Sequence, residues 1–125
     1  MPELKDIQGI EDIKWMVDRF YGKVREDGLL GPIFLSHIGN DWTAHLNIMY
    51  NFWNMAIFGN RDYTGNPFQK HKHMPLDSIY FDRWLLHFHA TLDERFDGPV
   101  TNDTKKKAQT IAATFLHRIT SLRQS

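Results

Sequence analysis

Pro67-Phe68-Gln69-Lys70-His71-Lys72-His73-Met74-Pro75 is a segment closed by proline at both ends. Proline fits a first helical turn, with Asn66 ahead of it as a cap, while the residue before Pro75 is driven out of the helical region. About two turns of helix fit between the prolines. On such a turn Phe68, His71 and Met74 repeat every third residue and share one face, whereas Lys70 and His73 share another. His71 therefore faces apolar neighbours and His73 faces water. A histidine held against an apolar surface on a short, stiff segment suits two roles: a packed core residue, or an axial ligand to iron in a buried cofactor pocket.

Outward from this segment, the apolar residues recur with helical period in four blocks. Ile10, Ile13, Val17, Phe20, Tyr21 and Val24 form the first stripe, ending near Gly28. Trp42, His45, Leu46, Met49, Phe52, Trp53 and Ala56 form the second, opened by Asn40 or Asp41 as cap and closed by Gly59. Ile79, Tyr80, Phe81, Trp84, Leu85, Phe88 and Leu92 form the third, with Asp77 or Ser78 in the capping region. Ala108, Ile111, Ala112, Phe115, Leu116, Ile119 and Leu122 form the fourth, after the break at Asp97-Gly98-Pro99. No period-two alternation or Asn-Gly hairpin signal accompanies them. Four long helices and one short prolyl segment predict an all-α fold in a single domain, residues 1–125.

Composition narrows the chemistry. A chain of 125 residues has room for a single core. Fifteen basic and fifteen acidic residues balance, so no global field draws in nucleic acid or an anionic membrane. The first residues carry no apolar signal core and no run is long enough to span a bilayer, so a soluble, cytoplasmic protein is expected. The absence of cysteine excludes disulfides, thiol catalysis, iron–sulfur clusters and thioether-attached haem. Any haem would be held non-covalently.

Tyr21, His45 and Trp84 lie inside the first, second and third stripes and point toward one interior. Each carries a hydrogen-bonding group that is costly to bury without a partner. Singly, each is also an ordinary core residue whose polar tip reaches a carbonyl or water. Their convergence with His71 is the stronger signal. No two of the seven histidines are three or four residues apart, so the chain holds no helical zinc pair. His87, His89 and His117 read as solvent-facing; His37 in Phe34-Leu35-Ser36-His37-Ile38 has no assignment. There is no nucleophile elbow or phosphate loop. Asp93, Glu94 and Asp97 beside Arg95 read as an ion-paired surface, and Lys105-Lys106-Lys107 as an exposed face opening the fourth helix.

The sequence resembles the truncated haemoglobins, specifically their third group. The likeness runs over nearly the whole chain and is carried by Phe20-Tyr21-x-Lys23-Val24-Arg25, Leu30-Gly31-Pro32-Ile33-Phe34, Trp42-x-x-His45, Asn51-Phe52-Trp53, Asp62-Tyr63-x-Gly65-x-Pro67, Lys70-His71 and Trp84-Leu85-x-x-Phe88. The paired glycines of the first and second groups are missing. The resemblance implies a two-over-two helical sandwich around haem b. His71 resembles the proximal iron ligand, with the Pro67 carbonyl as candidate acceptor for its Nδ1 proton. Tyr21, His45 and Trp84 resemble distal residues, and Phe34, Met49, Phe68 and Lys70 complete the expected cofactor-binding set, with Lys70 one of several cations near the propionates.

Such a site implies dioxygen, carbon monoxide, nitric oxide or peroxide as ligands of a pentacoordinate ferrous iron. Donors from Tyr21 and Trp84 imply tight oxygen binding, and hence a redox or reactive-gas role rather than delivery. His45 would gate entry or add a further hydrogen bond. Two alternatives stand beside this reading: an enzyme, either a nitric oxide dioxygenase served by a reductase or a peroxidase, and a haem-free helical interaction module.

Overall fold

The computed structural model describes residues 4–39, 41–59 and 76–124. The prolyl segment, with Phe68, Lys70 and His71, lies outside them. Five helices are described: α1 (Ile10–Glu26), α2 (Leu30–Ile38), α3 (Trp42–Phe58), α4 (Ser78–Arg95) and α5 (Pro99–Gln124). The described residues contain no strand, only an isolated bridge between Lys5 and Phe96. No helix among them is long and apolar enough to cross a membrane.

The first stripe behaves as its period requires. Ile13, Val17, Phe20, Tyr21 and Val24 are all buried, joined by Met16 from the same face. Stripe ends protrude instead: Ile10, Ile79 and Leu122 are exposed. Asp41 is the cap of α3, accepting the Ala44 N–H at 3.2 Å. Gly59 closes that helix at φ 75°, a left-handed conformation that glycine adopts without a Cβ penalty.

α2 is a correction to the four-block expectation. Its start is sealed by a carboxylate outside the helix: Asp27 accepts the N–H of Leu29 at 2.7 Å and of Leu30 at 3.0 Å. The other Asp27 oxygen receives Arg83 Nη1 at 2.9 Å and contacts His87 Nε2 at 2.6 Å, both from α4. His87 is therefore not simply solvent-facing; it ties α4 to the corner between α1 and α2. At that corner a Cβ on Gly31 would stand 2.8 Å from the Arg25 carbonyl oxygen, so the close approach of the two helices needs glycine. Burial opposes ionisation of Asp27, but hydrogen bonds from His87, the Leu30 and Leu29 amides and Arg83 outweigh it and hold the carboxyl below the usual range.

A second long-range cap corrects the reading of the lysine trio. The helix starts at Pro99, where a missing N–H costs nothing, and Asp6 from the amino-terminal segment accepts the N–H groups of Val100 and Thr101, both at 2.8 Å. Lys105, Lys106 and Lys107 thus lie beyond the first turn, where Lys105 pairs with Asp93 and Lys107 with Asp103. The surface reading of Asp93 and Glu94 holds: Glu94 bridges Arg19 at 2.8 Å and Lys23 at 2.7 Å, and these partners draw its carboxyl down to about 2.

α1 packs against α2, α3 and α4, and α4 packs against α5, giving the layers α1/α3 and α4/α5 of a two-over-two sandwich. Aromatic rings join them. Phe88, fully buried, stacks on Trp53 at 4.8 Å and on Trp84 at 5.6 Å, with Phe20 edge-on at 5.4 Å.

Asp27→Asn is expected to lower the free energy of unfolding by roughly 2 kcal/mol at neutral pH, because charged partners and helix amides lose their anion. The carboxyl titrates lower in the folded chain than in the unfolded one, so its stabilisation is complete above roughly pH 4 and fades as pH falls further. Urea titrations at pH 7 and pH 3 check this; an equal loss at both values contradicts it.

Candidate functional site

The helices line a half-open cavity of about 610 Å³. That lies within the range of small-molecule and cofactor pockets. Tyr21, Phe34, His45, Met49 and Trp84, the described members of the sequence-derived site, all line it. Phe68, Lys70 and His71 lie outside the described residues.

Helical period explains the convergence. Tyr21 is one residue beyond Phe20 on the buried face of α1, and its ring meets Phe34 of α2 at 6.0 Å and His45 of α3 at 5.0 Å, both edge to face. Phe20 in turn meets Trp84 of α4 edge-on at 5.5 Å, which fixes the fourth wall. The Tyr21 side chain is buried, yet neither its hydroxyl nor the Trp84 indole N–H bonds to any described residue. Both donors are left to the cavity. Burial pushes the Tyr21 phenol well above its ordinary value, so it remains a protonated donor across the physiological range.

Tyr80, Phe81 and Phe115 also line the cavity. They were legible as stripe members on the third and fourth blocks, but nothing local to them marks a pocket wall. His37 and Asp41 line it too and are exposed. His37 Nδ1 lies 3.0 Å from the Ile33 carbonyl of its own helix, which orients the ring. The solvent-facing expectation fails for His89: its Nε2 is shut from solvent with no hydrogen-bond partner among the described residues. α4 packs on both α1 and α5, so its covered arc is wider than one stripe. His117 is exposed as expected. Among the described residues no cluster of histidine and carboxylate side chains could hold a metal ion.

An all-α sandwich around an aromatic cavity with donors aimed inward is the architecture of a globin. Residues 4–120 match the family described as bacterial-like globin. The chain is 36% identical to group 3 truncated hemoglobin ctb of Campylobacter jejuni, a match covering 84% of this chain and 86% of that one. The fold matches the crystal structure of group III truncated hemoglobin from Campylobacter jejuni with a TM-score of 0.86 at 32% identity, covering 94% of this chain and 95% of the other. The chain belongs to the bacterial-like globins, as a group III truncated haemoglobin, and so to the haem-binding globins.

The cavity fits that group. Its walls offer flat rings to a macrocycle, its Tyr21 hydroxyl awaits a partner, and its volume suits a large planar cofactor. Adding haemin to haem-free protein is expected to quench tryptophan fluorescence, because Trp53 and Trp84 line the cavity, and to reach an end point at one haem per chain. Quenching that rises without an end point contradicts the cavity as the site.

Proposed function

We propose that this chain holds haem b non-covalently, with His71 as the axial ligand to iron, and that it binds dioxygen tightly in a redox or reactive-gas role. The observation that carries the proposal is the hydroxyl of the buried Tyr21 side chain in the cavity wall, kept protonated and bonded to no described residue. Ferrous haem, when bound, supplies an open coordination position for diatomic gases.

The chain's own residues determine which gas is favoured. Tyr21 and Trp84 present O–H and N–H groups to one cavity, and such donors favour a ligand that carries partial negative charge, such as dioxygen, over apolar carbon monoxide. His45, edge-on to Tyr21, either adds a third polar contact or gates entry. Phe34 and Met49 give the same space apolar walls. Phe68 and Lys70 complete the proposed cofactor-binding set, Lys70 as one of several cations available to the propionates. Hydrogen bonds to charged groups contribute about 1.5 to 3 kcal/mol each, so two donors would slow oxygen release roughly a hundredfold or more.

Retention of that order suits a protein that consumes its ligand. Nitric oxide and dioxygen, with an electron from a reductase, give nitrate; peroxide is the other candidate substrate of a polar pocket.

Tyr21→Phe and Trp84→Phe are each expected to speed oxygen release about tenfold or more, and the double variant further, in stopped-flow displacement by carbon monoxide. Rates equal to that of the unmodified protein contradict the donor assignment. Rapid mixing of the oxygenated protein with nitric oxide is expected to yield nitrate stoichiometrically; slow or absent conversion restricts the role to binding.

A further inference from the structure

Trp42 takes no part in the cavity wall, yet it touches two residues that do. It is the first residue of α3 and is buried, while Asp41, Thr43 and Ala44 around it are exposed. Its ring lies 5.9 Å from that of His45 at an interplanar angle of 86°, and 6.1 Å from that of Tyr21 at 60°. The third side is the contact between Tyr21 and His45 at 5.0 Å and 88°. All three separations fall in the range where aromatic pairs attract with a preferred tilt. The rings thus form a closed triangle, in which no member can move without disturbing both others.

The outer corner of the triangle is held from α1. Arg25 stands one helical turn beyond Tyr21, on the same face, and its guanidinium lies 4.8 Å from the Trp42 ring centroid. α1 therefore supplies Tyr21 and also the cation that presses on the ring behind it. The Asp41 cap fixes the start of α3 beneath Trp42, and one turn later the same helix delivers His45.

We infer that Trp42, braced by Arg25, is a positioning residue that sets the separation and tilt of Tyr21 and His45 at the gas-binding face. The inference rests on the reading of Tyr21 as a ligand donor. It explains why a bulky ring is buried at the very start of a helix, where the backbone is least constrained. A planar, weakly hydrated guanidinium lies over a ring face more favourably than an ammonium, so lysine is not equivalent to arginine at position 25.

The test uses the haem-loaded protein, reduced and saturated with carbon monoxide, whose C–O stretching band reports the donors facing the ligand. Trp42→Leu is expected to split or shift that band and to raise the oxygen release rate up to about tenfold, with Trp42→Phe intermediate. Arg25→Gln should move both in the same direction by about two- to fivefold in rate, and Arg25→Lys should restore only part of the difference. In haem-free protein the His45 ring-proton resonances should lose their aromatic ring-current shift in Trp42→Leu. Unchanged bands, rates and resonances in Trp42→Phe and Arg25→Gln, with a clear change in Tyr21→Phe, overturn the positioning role alone. No change in Tyr21→Phe means that the donor reading itself is wrong, and the positioning role falls with it. Should Trp42→Leu fail to fold, the Phe and Arg25 variants decide.

Discussion

Tyr21 is a buried side chain whose hydroxyl bonds to no described residue and is left to the cavity, where an occupant able to accept its hydrogen bond is favoured. The remainder of the described fold is arranged so that the space in front of the hydroxyl stays open. Its ring is wedged by Phe20, Phe34, Trp42 and His45 from its own helix and the next two. A side chain so confined cannot turn away to find water. An occupant with an acceptor gives the hydroxyl a partner, and this links the packing of α1 to the chemistry of the cavity.

An open cavity within a small core has to be held open from outside it. Two carboxylates from the amino-terminal quarter of the chain do this. Asp27 gathers two α2 amides, Arg83 and His87, and so fixes α4, which carries Trp84, against the α1–α2 corner. Asp6 caps α5 from the amino-terminal segment, and α5 contributes Ile111, Ala112 and Phe115 to the cavity. Beneath the cavity, the stack of Trp53, Phe88 and Trp84 spans α3 and α4 and keeps the layers at a fixed spacing. Polar anchors outside and aromatic stacking below leave the volume between them free.

Most of this architecture was legible in the order of residues. The stripes of α1, α3, α4 and α5 follow from their period, and the caps at Asp41 and Gly59 from local chemistry alone. The wall residues Tyr21, His45 and Trp84 were legible because each is a polar-capable side chain on an apolar stripe. What escaped depends on contacts distant in sequence. α2 carries Gly31 and Pro32 in its first turn and is capped by a residue whose other partners lie on α4, so no local pattern announces it. His87 and His89 were misread because α4 is covered on two sides. The lysine trio was misread because the cap that moves the start of α5 back to Pro99 comes from Asp6. The placement of Tyr80 and His37 beside the cavity likewise exists only once the helices are packed.

The central claim is that this cavity holds haem through His71. Replacing His71 with glycine and recording the visible spectrum of the reduced protein, with and without added imidazole, tests it most directly. The account predicts that the variant loses the five-coordinate histidine spectrum of the unmodified protein and that imidazole, entering the vacated space, restores it. A variant whose reduced and carbon monoxide spectra match those of the unmodified protein without imidazole would contradict it.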